Sequence, residues 1–199
     1  MKGILLLNGR PYGGKIEAGD AYVVCCDGAY AWAKDKAKID ENVGDFDSLS
    51  LAPVPPPRKV YPSEKNFTDG EIGLELLLSR GCEEIEVYGG GGGREDHFLG
   101  NLHLLYRAQR AGVRAKMFTE SAVIFPAAGE AELRGRAGQT VSLLPFGGGA
   151  HIMESEGLKY PLDGLTLSYG SCRGISNVLL SGRARFVCDR GTVLVFLDN

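Results

Sequence analysis

Two carboxylates flanking one apolar residue, Asp45-Phe46-Asp47, indicate the chemistry to look for in this chain. In an extended segment, side chains at i and i+2 point the same way, so Asp45 and Asp47 would converge while Phe46 turns inward. Converging carboxylates with no Lys or Arg beside them repel unless a cation stands between them. Mg²⁺ is the simplest such cation, a hard ion that takes oxygen ligands and binds alongside substrate phosphates. Asp-x-Asp also arises in ordinary surface loops, so the reading rests on three further segments. Cys26-Asp27-Gly28-Ala29 stands at the end of an expected strand, and open α/β sheets bind ligands at the carboxyl ends of strands. Taken alone, it also reads as a plain Asp-Gly turn. Ser63-Glu64-Lys65-Asn66-Phe67-Thr68-Asp69 opens an expected helix. There Lys65 has the reach for a phosphate, while Thr68 and Glu71 have capping-box spacing. Asp69 in the first turn suits the helix dipole. In the last segment five glycines, Gly89 to Gly93, follow a strand and are succeeded by Arg94-Glu95-Asp96-His97 and then Asn101. A loop without side chains opening onto a helix N-terminus offers N–H groups to an anion. Arg94 adds a fork of donors for phosphate oxygens, and Asp96 has the chemistry to hold a metal that does the same. His97 and Asn101 lie four apart, on one helix face.

Other chemistries fit less well. Gly9-Arg-Pro-Tyr-Gly-Gly14-Lys15 has the spacing of a nucleotide P-loop, but Ile16 stands where Ser or Thr should meet Mg²⁺ and no helix follows. Residues 9–15 remain a loop able to touch a ligand. His97, His103 and His151 show no metal-binding spacing, and His103 is expected to be partly buried in a helix. No Gly-x-Ser-x-Gly elbow occurs, and no Cys has an identifiable His partner. Carboxylates, a glycine loop, an Arg and a Lys form the set that phosphoryl-type transfer needs, where the protein positions groups and neutralises charge.

Composition narrows the class. The chain has 199 residues with 22 basic and 25 acidic side chains, a net charge of −3. That balance argues against a nucleic-acid binder or a membrane-surface protein, which need a basic face. Five cysteines without a CxxC pair suit a reducing compartment, with neither a disulfide framework nor a zinc site. The apolar run at residues 4–7 is short for a signal peptide, and no run is long enough to span a bilayer. The expectation is a cytoplasmic protein.

The elements that must position these residues divide the chain in two. Strands are expected at 3–7, 21–26, 59–61, 84–88, 115–119 and 122–125. Helices are expected at 29–38, 69–79 and 96–110, the second with Ile72, Leu76 and Ser79 on one face and Gly81 as its stop. This alternation implies a mostly parallel sheet with helices on both faces. After Gly129 the helical signal ends, and short strands at 141–144, 150–153, 157–160, 177–180, 184–188 and 192–196 suggest an antiparallel sandwich or barrel. The expected domains are 1–128, α/β and nucleotide-binding, and 129–199, all β. The proline-rich segment 53–57 reads as a stiff connector.

The four segments, in this order, resemble thiamine pyrophosphokinase. The family pattern runs Ala-Asp-Gly-Gly-Ala, Gly-Asp-Phe-Asp-Ser, Lys-Asp-x-Thr-Asp, then Gly-Gly-Arg-x-Asp-His with Asn four residues on. The later segments Gly138-Gln-Thr-Val-Ser142-Leu143, Gly157-Leu158-Lys159-Tyr160-Pro161-Leu162 and Gly174-Ile-Ser176-Asn177 look like the family's β domain. The resemblance implies a homodimer with shared active sites. In it, thiamine's hydroxyl attacks the β-phosphorus of ATP to give thiamine diphosphate and AMP. It implies that Asp45, Asp47, Asp69 and Asp96 hold Mg²⁺ and are catalytic. Asp27, Gly28, Lys65, Thr68, Arg94, His97 and Asn101 would bind ATP, and Ser176 and Asn177 thiamine, with the β domain serving thiamine binding and dimerisation. Ala29 and Asn66 depart from the pattern, where the family has Gly and Asp. The only Trp, Trp32, is in the first domain, so no Trp of the β domain can stack on thiamine. A pyrophosphokinase for another alcohol, such as a pterin, and a non-catalytic nucleotide-binding protein are the alternatives.

Overall fold

The apolar run that opens the chain becomes the middle of a parallel sheet. The computed structural model describes residues 1–44, 58–60 and 66–199. Asp45, Asp47, Lys65 and the segment 53–57 lie outside the described residues. The chain divides into two units, Met1–Glu120 and Ser121–Asn199. The first runs β1 (Lys2–Leu6), β2 (Tyr22–Cys26), α1 (Tyr30–Ala33), β3 (Glu41–Gly44), β4 (Arg58–Val60), α2 (Asp69–Ser79), β5 (Glu84–Tyr88), α3 (Glu95–Arg110) and β6 (Arg114–Phe118). Its strands pair in parallel in the order β6-β5-β1-β2-β3-β4. The chain builds outward from β1 to β4, then returns through α2 to add β5 on the other side of β1. A reversal of this kind opens a crevice at the carboxyl ends of the two strands that flank it, here β1 and β5.

Ile4, Leu5 and Leu6 are fully buried, as a strand covered on both faces requires. α2 lies on one face. A Cβ on its Gly73 would stand 2.5 Å from Leu5 Cδ1 and 2.9 Å from Cys26 Sγ, so the glycine lets the helix come close. The buried face of α2 is Gly70, Gly73, Leu74 and Leu77 rather than Ile72, Leu76 and Ser79. The small residues sit innermost, which a count of large apolar side chains overlooks. α2 ends at Gly81, with φ +74°, where Gly81 N–H donates to the Leu78 carbonyl and Cys82 N–H to that of Leu77. This is a Schellman closure, and it needs a left-handed residue.

The other face is covered mainly by coil. Ile4, Leu6, Val23 and Cys25 pack with Ile16, Ala29, Ala33 and Tyr88, and Tyr12 and Trp32 add partly buried surface. The helix expected over 29–38 is reduced to a 3₁₀ turn (Asp27–Ala29) and the single turn of α1. Its continuation, Asp35-Lys36-Ala37-Lys38, has little apolar surface to bury, and so short a helix gains little without it. The Cys25 thiol, pushed up to about 12 by burial, is a core filler.

The second unit runs β7 (Ala122–Arg134), β8 (Thr140–Pro145), β9 (Ala150–Glu156), β10 (Leu165–Leu167), β11 (Asn177–Val178) and β12 (Arg183–Asp198). β12 pairs antiparallel with β7 along its length. On its other edge, the first half pairs with β9 and the second half with β8. The register shift between Cys188 and Val193 divides the halves. The split gives two leaves around a core that includes Leu133, Val141, Leu143, Ile152, Phe186 and Val195.

Several expectations change here. Pro126-Ala-Ala-Gly129, read as the domain boundary, lies inside β7. Gly129 faces the β12 irregularity, so the Pro-Gly punctuation marks a bulge in a long pair. The strands expected at 184–188 and 192–196 are one bent strand. Residues 157–160 contribute one bridge, Leu158 to Leu179, and β10 has no counterpart among the expected strands. No helix among the described residues is long and apolar enough to cross a membrane.

Candidate active site

A cleft of about 1380 Å³ opens in the first unit at the strand-order reversal. It is walled by the residues after β1, the end of β2, the start of α2, the glycine loop after β5 and one face of α3. Asp27, Thr68, Asp69, Arg94, Asp96, His97 and Asn101, seven of the expected site residues, all line it. Gly28 lies behind the wall, buried against the Asn8 side chain. Gly44, the residue bonded to Asp45, packs on Asp27, where a Cβ would stand 3.0 Å from that of Asp27. Asp27 itself has φ +45°, a left-handed conformation uncommon outside glycine that concentrates at functional sites.

The α2 end of the cleft is fixed by local bonds. Thr68 Oγ1 accepts from Glu71 N–H at 3.2 Å, and Glu71 Oε2 accepts from Thr68 N–H at 2.8 Å. This capping box presents Asp69 in the first turn. Arg107 of α3 reaches across to Glu71 at 3.6 Å and Glu75 at 2.6 Å, tying the two helices together. Cys26 Sγ donates to the Asp69 carbonyl at 3.3 Å.

At α3, Arg94 and Asp96 pair with each other at the cleft wall. Arg94 Nε and NH2 donate to the two Asp96 carboxylate oxygens at 3.1 and 2.6 Å. The guanidinium holds the Asp96 carboxyl below its usual range. Both side chains are well exposed, so the pair can be exchanged for ligand partners at little cost. His103 is exposed and lines the cleft, contrary to the partial burial expected for it. Asn101 donates through Nδ2 to the Gly90 carbonyl at 2.8 Å.

Sequence reasoning missed Arg107, Glu71 and His103 as cleft residues, and left Arg10 as part of a loop. His97, Asn101, Leu104 and Arg107 recur at helical spacing, a signal that extends the His97–Asn101 face by two turns. Arg10 had no such signal, because coil has no period.

Ser176 and Asn177 belong to the second unit. Ser176 is exposed with φ +60°. Asn177 is buried, and its amide is spent within the chain. Nδ2 donates to the Tyr160 carbonyl at 2.7 Å, and Oδ1 accepts from Tyr160 N–H at 3.0 Å and Val178 N–H at 2.8 Å. Such a side chain braces Tyr160 and its neighbours.

Asp69 and Asp96 supply hard oxygen donors that suit Mg²⁺. Among the described residues no three acidic, His or Cys groups lie close enough to hold an ion. The fit is therefore one of donor chemistry, with Asp45 and Asp47 following directly on Gly44.

Residues 15–117 match the family model described as the thiamin pyrophosphokinase catalytic domain, and residues 130–193 the one described as its vitamin B1 binding domain. A thiamine pyrophosphokinase of Bacillus subtilis is 32% identical over 164 residues, covering 78% of this chain and 76% of that protein. In fold, the crystal structure of thiamine pyrophosphokinase from Bacillus subtilis has a TM-score of 0.86 at 24% identity, covering 100% of this chain and 99% of that one. The yeast enzyme's crystal structure has a TM-score of 0.74 at 16% identity, covering 99% and 86%. Two family models matched in order, with a relative of this identity over most of both chains, establish that this chain belongs to the thiamine pyrophosphokinase family.

Proposed function

We propose that this protein transfers the terminal diphosphoryl group of ATP to the hydroxyl of thiamine, giving thiamine diphosphate and AMP. One observation carries the reading. The Asp27, Thr68-Asp69 and Arg94-Asp96 segments, far apart in sequence, line a single cleft at the strand-order reversal. Nucleotides bind at that position in open α/β sheets.

In the reaction, the hydroxyl oxygen of thiamine forms a bond to the β-phosphorus. The bond between that phosphorus and the oxygen bridging to the α-phosphate breaks, and AMP leaves with the bridging oxygen. The hydroxyl proton passes to a carboxylate or to water. Little covalent work falls to the protein, whose part is positioning and charge neutralisation. Asp69 and Asp96, with Asp45 and Asp47, would hold Mg²⁺, which when bound neutralises charge on the phosphoryl oxygens. Arg94 gives up Asp96 and turns its two donors to a phosphate oxygen pair. Asp27 and Lys65 complete the nucleotide contacts. The capping box holds Asp69 still, limiting the motion that would misplace the reacting groups. Ser176 reaches thiamine from the second subunit of a homodimer, while Asn177 braces the segment around it.

The test is AMP release from ATP and Mg²⁺ with and without thiamine, followed by product mass. Thiamine-dependent AMP and a product heavier by one diphosphoryl group are expected. ADP as the product would mean single phosphoryl transfer and overturn the mechanism. ATP binding without any thiamine-dependent turnover would overturn the choice of acceptor.

A further inference from the structure

The glycine loop is tied back through three consecutive carbonyls. Gly9 N–H donates to the Gly89 carbonyl at 2.8 Å, Asn101 Nδ2 to the Gly90 carbonyl at 2.8 Å, and Arg10 N–H to the Gly91 carbonyl at 2.8 Å. In a planar trans peptide the N–H of the following residue points opposite to the carbonyl. Holding these carbonyls therefore sets the directions of the N–H groups of Gly90, Gly91 and Gly92.

The three ties differ in kind. The outer two come from backbone N–H groups, and the first also needs glycine at position 9, where a Cβ would stand 2.5 Å from the Gly89 carbonyl oxygen. The middle one comes from a side chain, and the Asn amide nitrogen is a donor matched to a carbonyl acceptor. A run of glycines has more backbone freedom than any other sequence, so an untied peptide in it samples many orientations. A peptide that rotated its carbonyl toward the ligand would set the negative end of its dipole against a phosphate. Among the described residues, Asn101 thus controls the one peptide of the three that backbone does not hold.

We propose that Asn101 is a positioning residue: it fixes the Gly90–Gly91 peptide so that the loop offers N–H groups to the nucleotide's phosphates, and it does not itself touch the nucleoside. This rests on the nucleotide reading of the cleft. It differs from the direct ATP contact that the family resemblance implies for Asn101. The same clamp gives Gly9 and Arg10 a role, because their N–H groups are consumed by the glycine loop and are not offered to the ligand as in a P-loop.

The experiment compares the affinities of adenosine, AMP, ADP and ATP for the wild-type protein, Asn101→Ala and Asn101→Asp, by calorimetry in the presence of Mg²⁺. The Asp variant sets a carboxylate against the Gly90 carbonyl and should be the more severe. Adenosine affinity should stay within about twofold, while ATP and ADP affinities fall about tenfold, the usual scale for one lost hydrogen bond that orders charged contacts. Melting curves close to wild type show that the variants are folded. A loss of equal size for adenosine and ATP would mean that Asn101 holds the nucleoside, and would overturn the clamp. Unchanged affinity for all four ligands in both variants would overturn it too. Failure of the wild-type protein to bind any of the four would overturn the nucleotide reading, and the clamp with it.

Discussion

Replacing Glu41 by Gln should weaken the protein at neutral pH and leave it unaffected in acid. Glu41, 4% exposed, opens β3, the strand that leads to Gly44 and Asp45. Its carboxylate meets Lys59 Nζ at 2.8 Å, the Tyr22 hydroxyl at 2.9 Å and Arg80 NH2 at 3.7 Å. The Arg80 guanidinium lies 3.8 Å over the Tyr22 ring. Burial works to raise the Glu41 carboxyl, but Lys59, Tyr22 and Arg80 outweigh it and hold the group below its ordinary value. Burial, with Glu41 beside it, pushes the Tyr22 hydroxyl up to about 12. Removing one partner of a buried pair costs about 3–5 kcal/mol. Here the Lys59 and Arg80 side chains are 50% and 46% exposed, so each released cation recovers water. Gln also still accepts from Tyr22. The expected cost at pH 7 is therefore about 1–2 kcal/mol, or roughly 2–8 °C in a protein of this size. A carboxyl depressed in the folded state stabilises fully above its unfolded value, near pH 4.3, and loses that contribution as pH falls through the folded value. The gap between wild type and Glu41→Gln should thus be present at pH 7 and shrink below about pH 4. Urea unfolding followed by circular dichroism, down to the lowest pH at which wild type stays folded, measures it. No gap at pH 7, or a gap of constant size into acid, would refute the reasoning.

Two further outcomes follow from the cleft and the loop beside it. Thr68→Ala should cost about 1 kcal/mol through loss of the α2 cap and reduce turnover, because Asp69 is next in the chain; Thr68→Ser should retain both in melting and rate assays, and equal losses would sink the cap assignment. Gly89→Ala should be far more damaging. Gly89 has φ +70°, and an added Cβ would overlap the Leu7 carbonyl and lie 2.7 Å from Trp32 Cζ2. The left-handed conformation costs about 1 kcal/mol and the overlap about 1–3 kcal/mol more. The fluorescence of Trp32, the only Trp, should shift along with the urea midpoint. A wild-type midpoint with an unchanged spectrum would refute the close approach.

Features set by neighbours within a few residues are legible in the sequence. The bounds of α2, its Thr68–Glu71 capping box and its stop at Gly81 all appear where local spacing puts them. The motifs of the cleft are likewise legible, because ligand chemistry requires particular residue types in order. Features set by distant partners are not. Whether residues 29–38 form a helix depends on what surface the sheet leaves them to cover. Pro126 and Gly129 read as a break until β12 is beside them to make a bulge. The sequence offers Asn177 and Asn101 only as ligand contacts, and that their amides also bond the Tyr160 and Gly90 carbonyls is visible only in the folded chain.

By itself the sequence determined the family, the order of the chemical segments and the caps of the helix that carries Asp69, since each depends on residue type and short spacing. The tertiary structure alone decided which polar side chains face the cleft and which are spent inside the chain. An amide or a guanidinium has the same chemistry in either role. Only the register of the sheet and the packing of α2 and α3 determine whether a protein carbonyl, a carboxylate or an open cleft stands within hydrogen-bond reach.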